Sequence, residues 1–139
     1  MTVNLKSEVI KMREVWFRGK VKLPINYRGY NLSHRNGDWV YGLMNSNGSI
    51  RGIFVDTNTI GQYTGLTDKN GTKIFEDDIL QVSYHGDEIG RVCIYFKYAM
   101  YLCDVIYGDI DFDTLGMLNA NYQLAVIGNV YDNPELIEK

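Results

Sequence analysis

The sequence is poor in proline, cysteine and histidine, and it lacks any long apolar run. Only two Pro, two Cys and two His occur among its 139 residues. Two cysteines, Cys93 and Cys103, are too few for a disulfide framework, and their separation is not that of zinc ligands. No stretch approaches the roughly 20 apolar residues of a membrane helix. We therefore expect reduced thiols, no metal, no cofactor and no membrane segment.

A surplus of positive charge is also missing, because the net charge is −3. Proteins that bind the phosphate backbone usually carry a basic surplus. Basic residues nevertheless crowd the first 28 positions, at Lys11, Arg13, Arg18, Lys20, Lys22 and Arg28. A solvated surface is the favoured interpretation of that crowding, and a local basic patch stays open. The first fifteen residues contain no apolar core typical of a signal peptide, so we expect a cytoplasmic protein.

Tyrosine and glycine are abundant, with 11 and 14 copies, which favours strands joined by tight turns. Three Asn-Gly pairs, at 36–37, 47–48 and 70–71, are typical of two-residue hairpin turns. The second pair predicts an antiparallel hairpin between residues 39–44 and 49–55.

Four further segments have the residue pattern of strands: 79–84, 90–96, 100–107 and 124–131. The last is apolar on both faces, which predicts a central strand. Helix signals are few. Asp113 is a candidate cap for a short helix carrying Leu115 and Leu118, and Asn133-Pro134-Glu135 has the order of a helix start.

The second and third of these strands are predicted to form a hairpin with a three-residue loop at 97–99. That register places Ile94 opposite Leu102 and Cys93 opposite Cys103. A slip of one residue would instead place the apolar stripe of the first strand beside Tyr101, Cys103 and Val105, and the pattern does not exclude it.

Candidate catalytic groups are weak. Asp109, Asp111 and Asp113 begin with calcium-loop spacing, but the later ligand positions are wrong. The cluster 76–78 could in principle do acid–base or metal chemistry, yet Asp78 before a strand is more typical of a turn-stabilising acceptor. A Cys nucleophile served by His85 has no supporting motif. We therefore lean away from an enzyme.

The most unusual segment is residues 56–78, where mixed polar side chains alternate with glycines. Such a segment is typical of a binding loop on a rigid scaffold, and equally of a turn network within the chain. The candidate binding residues are Gln62, Tyr63, Thr64, Asp68, Lys69 and Asn70. Gly65, Gly71 and Asp78 are candidate structural turn residues.

Residues 59–66 (TIGQYTGL), 68–71 (DKNG) and 74–76 (IFE) resemble the signature of the YopX-like family of phage and prophage proteins. Phe17-Arg18 is similar to the family's opening motif, and residues 126–136 (VIGNVYDNPEL) resemble its closing motif. Where the family usually has Glu-Gly-Asp-Ile, this chain has Asp77 in place of the glycine. If that glycine takes a positive φ, Asp77 must adopt it at some cost.

The resemblance implies an N-terminal β segment followed by a small SH3-like β-barrel. Together with the hairpin and helix signals above, it leads us to expect a mainly β protein with one or two short helices. Residues 1–11 precede Met12-Arg13-Glu14, which could itself open a protein, so we expect an N-terminal extension there, left open as a loose segment or a packed helix. The β segment is expected at 12–66 and the barrel at 67–139.

The resemblance implies little about activity. We expect a phage or prophage accessory protein that acts as a non-catalytic binding module, at residues 61–71 and nearby tyrosines, with a protein partner or self-association favoured. The alternatives are a nucleic-acid-binding β-barrel and a metal-dependent or hydrolytic enzyme that uses the acidic clusters.

Overall fold

The structure is a computed structural model that describes residues 15–24 and 34–138. The described residues are mainly β, as predicted, with antiparallel strands and one α-helix. The chain divides into two compact units, residues 1–62 and 63–139. The predicted extension at 1–11 lies outside the described residues, as do Lys11, Arg13 and Arg28.

In the first unit, strand β1 (Phe17–Lys20) pairs on one side with β2 (Trp39–Gly42) and on the other with the first residues of β3 (Gly61–Thr67). Both pairings are antiparallel. A short 3-10 helix, Thr57–Thr59, precedes β3. The small core of this unit contains Val21, Val40 and Ile50.

The hairpin predicted from residues 39–44 and 49–55 is only partly correct. The turn at 45–48 forms, and Met44 pairs antiparallel with Ile50. Beyond that pair the second segment is not a strand, because Arg51 and Gly52 both take positive φ and reverse the chain. This two-residue turn pairs Ile50 with Ile53. Residues 51–55 therefore do not continue beside β2, which pairs with β1.

The second unit contains the rest of β3, the short strand β4 (Lys73–Phe75) and a four-stranded sheet curled into a half-barrel. The sheet order is β7-β6-β5-β8. These strands are β5 (Asp78–Tyr84), β6 (Asp87–Lys97), β7 (Met100–Gly108) and β8 (Gln123–Asn129). Their inner face packs on helix α1 (Leu115–Asn121), which buries Leu115 and Leu118.

The prediction of a central position for residues 124–131 is wrong. Strand β8 lies at the edge of the sheet, and β5 is central, with Ile79, Leu80 and Val82 fully buried. Apolar residues on both faces indicate that a strand is covered, but not which strands pair with it. In β8 a loop covers the outer edge, as described below.

The favoured register of the β6–β7 hairpin is also wrong, and the one-residue slip is the register observed. Ile94 lies opposite Cys103, and Cys93 lies opposite Asp104. The loop has two residues instead of three, because Tyr98 and Ala99 both take positive φ. The two cysteines are therefore not cross-strand partners, and both are free thiols.

The helix predicted around Leu115 and Leu118 is confirmed, but its N-cap is Thr114, whose hydroxyl accepts from the Met117 N–H, and not Asp113. A short 3-10 helix, Pro134–Ile137, follows Asn133, whose side chain makes no capping bond to it. Among the residues that the structure describes, no helix is long and apolar enough to cross a membrane.

Candidate functional site

Asp68, one of the candidate binding residues, is a buried acceptor for three backbone amides. One carboxylate oxygen accepts from the N–H groups of Asn70 and Thr72, at 2.9 and 2.8 Å, and the other accepts from Val126 at 2.8 Å. The Lys69 N–H donates to the carbonyl of Leu124 at 2.9 Å. The loop that begins at Asp68 is thus hydrogen-bonded to the outer edge of β8. It provides partners for the Val126 N–H and the Leu124 carbonyl, two groups that an edge strand would otherwise leave unpaired.

The remaining candidates differ in their surroundings. Thr64 donates from its hydroxyl to the Ile74 carbonyl at 2.8 Å. Tyr63 is half-buried against Phe75, with ring centroids 5.6 Å apart. Gln62 is half-buried at the end of the first unit. The exposed members of the set are Lys69 and Asn70.

The three residues singled out for turns have the geometry of turns. Gly65 and Gly71 take φ of +88° and +82°. Asp78 is buried, and its carboxylate accepts from the Phe75 N–H at 2.8 Å. Asp77, in the place of the family's glycine, takes a positive φ of 71°. Its carboxylate accepts from the Tyr131 hydroxyl at 2.9 Å, which ties this turn to the segment after β8.

The closing motif is also organised around its own backbone. The amide oxygen of Asn129 accepts from the N–H groups of Tyr131 and Asp132, at 3.0 and 2.9 Å. The amide oxygen of Asn133 accepts from the Asn129 N–H at 3.2 Å. A Cβ at Gly128 would lie 2.4 Å from that same oxygen, so only glycine fits there.

An open apolar groove lies at the end of the half-barrel where the β6–β7 hairpin turns, and it encloses about 570 Å³. The first residues of α1 form one wall, the hairpin a second and β3 a third. The lining residues are Thr64, Leu66, Phe96, Ala99, Met100, Tyr101, Thr114, Leu115, Gly116 and Met117. Thr64 is the member of the predicted binding set that lines the groove.

Large apolar side chains line the groove with much of their surface in solvent. Phe96, Met100 and Met117 are 51%, 46% and 50% exposed. Apolar patches on this scale often mark interaction sites. The sequence carried a signal for them that our prediction did not use, since Phe96 and Met100 flank the hairpin turn, where polar residues are usual.

Gly116 lines the groove and leaves open space where a side chain would project. It is the second residue of α1 and is exposed. A Cβ built there meets nothing within 4 Å. Packing of the described residues therefore does not require glycine at this position.

The acidic clusters and His85 do not form a metal site. Within residues 15–24 and 34–138, no group of three or more His, Cys, Asp or Glu could hold a metal ion. Asp109, Asp111 and Asp113 are exposed. The ring of His85 packs edge-on against Tyr84, with centroids 4.1 Å apart.

The two thiols are held in their protonated form. Burial, and secondly the charge of Asp113, raises the pKa of Cys103 to about 12. Burial, and secondly the charge of Asp77, raises the pKa of Cys93 to about 11. A nucleophilic cysteine needs the opposite shift.

Charge is divided unequally between the two units. Residues 1–62 contain nine Lys and Arg against four Asp and Glu, a net charge of +5. Residues 63–139 contain five Lys and Arg against thirteen Asp and Glu, a net charge of −8. Two exposed tyrosines of the second unit have cations over their rings: Lys97 lies 5.1 Å from Tyr98, and Arg91 lies 5.0 Å from Tyr107.

A solved structure, that of protein EF1440 from Enterococcus faecalis, aligns over 90% of this chain and 97% of its own length. The two are 22% identical, with a TM-score of 0.45. No curated protein is significantly similar to the chain. The YopX protein family matches residues 9–138, almost the whole sequence. The chain therefore belongs to the YopX family, as the signature and closing motifs predicted.

Proposed function

We propose that the protein is a non-catalytic binding module and that the groove receives an apolar segment of a protein partner. The observation that carries this proposal is the exposure of Phe96, Met100 and Met117 around one open groove. Two of the three are methionines, whose flexible thioether side chains adapt to irregular apolar partners.

Charge complementarity specifies the partner further. None of the described residues that line the groove is charged, but the unit that contains it has a net charge of −8. Tyr101 lies in the groove wall, and its pKa is raised first by burial and secondly by the negative charge of Glu76. The field of this carboxylate therefore reaches the groove. We expect the bound segment to place an apolar side chain in the groove and basic residues beside it.

The same charge disfavours nucleic-acid binding on the second unit, where Tyr98 and Tyr107 lie, because phosphate would approach a strongly acidic surface there. The cations over Tyr98 and Tyr107 are isolated pairs, one at each end of the β6–β7 hairpin. The enzyme alternative gains no support from the thiols, whose pKa values are raised.

The setting of this activity is part of the proposal. The resemblance to phage and prophage proteins supports an accessory role in the cytoplasm of a bacterial host. An SH3-like closure of the half-barrel, and the division at 1–11, 12–66 and 67–139, remain predictions.

The test uses synthetic peptides with a central Leu, Met, Phe or Trp flanked by lysines, and a matched set flanked by glutamates. The variant Gly116→Leu fills the groove, and Asn119→Leu adds the same side chain to an exposed position of α1 that does not line it. We expect lysine-flanked peptides to bind the full chain and Asn119→Leu alike, and Gly116→Leu at least tenfold more weakly.

Salt should weaken this binding, since flanking charges contribute to it. Equal binding of both peptide sets would remove the charge argument, and equal effects of the two leucine variants would exclude the groove. If Gly116→Leu instead converts a dimer into a monomer in sedimentation, the occupant is a second copy of the chain and the proposed partner is wrong.

A further inference from the structure

The opposite end of the half-barrel carries an aromatic corner, formed by Tyr84, Phe112 and Tyr122. The Tyr122 ring is central: its centroid lies 6.0 Å from that of Tyr84 and 6.0 Å from that of Phe112. Tyr84 is the last residue of β5 and pairs with Asp87 at the start of β6, whereas the groove lies at the other end of β6. The corner is therefore separate from the proposed groove.

The planes of the rings are steeply inclined to one another and are not parallel. Tyr84 is inclined to Tyr122 by 75°, and Phe112 by 63°. Parallel rings would accept a flat heterocycle by stacking, but steeply inclined rings suit a compact ligand that contacts more than one ring. A cavity of about 300 Å³ opens at the angle, and Ile89 and Asn121 complete its lining.

A second cavity of about 250 Å³ shares Tyr84, Asn121 and Tyr122 with the first. Its other lining residues are Ser83, His85, Ala120 and Gln123. Tyr84, which lines both cavities, has 51% of its surface exposed to solvent. A ligand can therefore reach a ring of the corner without any movement of the strands.

The electrostatics of the corner favour a cation. The face of an aromatic ring carries partial negative charge and attracts ammonium groups within about 6 Å of the centroid. Neither Lys nor Arg is among the described residues that line the two cavities; His85 lines the second cavity, with its ring centroid 4.1 Å from that of Tyr84. The unit that contains the corner has a net charge of −8, which raises the local concentration of cations and opposes anions.

We propose that the aromatic corner is a binding site for a small organic cation of the alkylammonium class, including quaternary ammonium groups. Its methyl groups would pack on Tyr84 and Tyr122 while the ring faces stabilise its charge. This site does not depend on the proposed groove, and a ligand could occupy each at the same time.

The test compares choline with its uncharged carbon isostere, 3,3-dimethylbutan-1-ol, which has nearly the same shape. Each is titrated into the full chain while the aromatic side-chain resonances are followed by NMR. Two variants at one position separate ring from hydroxyl: Tyr84→Phe keeps the ring, and Tyr84→Leu keeps only apolar bulk. Because Tyr84 is half exposed, neither change disturbs the core.

We expect choline to shift the resonances of all three rings. We also expect it to bind about threefold to tenfold more tightly than the isostere. Tyr84→Phe should bind choline like the natural chain, and Tyr84→Leu should lose about the same threefold to tenfold. Equal affinities for choline and the isostere, or for the two variants, would overturn the proposal. So would the absence of any shift at millimolar choline.

Discussion

Two short polar side chains, Asp68 and Asn129, accept backbone hydrogen bonds that no regular pairing supplies. Asp68 accepts three and Asn129 two, and both side chains are buried. Both belong to the motifs by which the family is recognised, together with Gly128, whose Cβ would clash with Asn133. Much of the family signature thus specifies turns of the fold, which explains why it indicates membership without indicating activity.

Replacing Asp68 with alanine should destabilise the protein strongly. The N–H groups of Asn70, Thr72 and Val126 would lose their buried acceptor, and the loss of three such hydrogen bonds costs about 3 kcal/mol. Unfolding in urea measures the change. The control is Asn70→Ala in the same loop, where an exposed side chain is removed and we expect a change within about 0.5 kcal/mol. Similar midpoints for the two variants would contradict a structural role for Asp68.

At Asp77 two effects oppose each other. Its φ of 71° is unfavourable for any residue except glycine, by about 1 kcal/mol, and its carboxylate accepts from the Tyr131 hydroxyl. Asp77→Gly should therefore change stability little in the natural chain. In the Tyr131→Phe background, where that hydrogen bond is already absent, the same change should stabilise by about 1 kcal/mol.

A double-mutant cycle on thermal unfolding separates these two effects. If Asp77→Gly has the same effect in both backgrounds, the side chains of Asp77 and Tyr131 are not coupled, and the compensation we describe is absent.

At the scale of elements, the β6–β7 hairpin shows why the register was not predictable. The observed turn residues, Tyr98 and Ala99, both take positive φ, yet neither is a residue that favours it. Both registers bring apolar residues together on the inner face, so the hydrophobic pattern could not decide between them. By contrast, the turn at 45–48 was predictable, because glycine readily adopts the positive φ of 85° that Gly48 takes there.

The same turn offers a stability test. Changing Tyr98→Asn and Ala99→Gly together should stabilise the hairpin by about 1–2 kcal/mol, because Asn and Gly adopt positive φ more readily. The midpoint of unfolding in denaturant measures the gain. A matched control, Tyr95→Asn, changes an exposed residue within β6 and should not stabilise. No gain from the paired change would mean that the turn is not strained.

At the scale of the whole molecule, strand positions in the second unit followed from the sequence, whereas the order of its strands and the groove did not. Segments 79–84, 90–96 and 100–107 lie within observed strands because alternation and β-branched residues are local signals. The groove is formed by three segments distant in sequence, and only folding brings Leu66, Phe96 and Met117 together.

Stability of the whole molecule should fall at alkaline pH. Burial raises the pKa values of Cys93 and Cys103 to about 11 and 12, whereas an exposed thiol ionises near 9.0. The folded state thus favours the neutral thiols, and this contribution is complete below about pH 9 and lost as pH rises towards 11 and 12. Between about pH 8 and about pH 10.5 the unfolding free energy should decrease.

The control for this prediction is the double variant Cys93→Ala and Cys103→Ala. Its stability at neutral pH is expected to be lower, since Cys103 belongs to the core, so the slope with pH is compared and not the absolute value. The slope should be shallower than in the natural chain. Equal slopes would assign the alkaline loss to other groups, such as Tyr101, whose pKa burial also raises.

The loop that begins at Asp68 has a further consequence for the fate of the chain at high concentration. An uncovered outer strand is a template on which other chains can add, the first step towards strand exchange or fibrils. Here the Val126 N–H and the Leu124 carbonyl are already bonded to Asp68 and to the Lys69 N–H, so an incoming strand finds those positions filled. We therefore expect this loop, part of the most recognisable segment of the family, to hinder the addition of further strands at this edge.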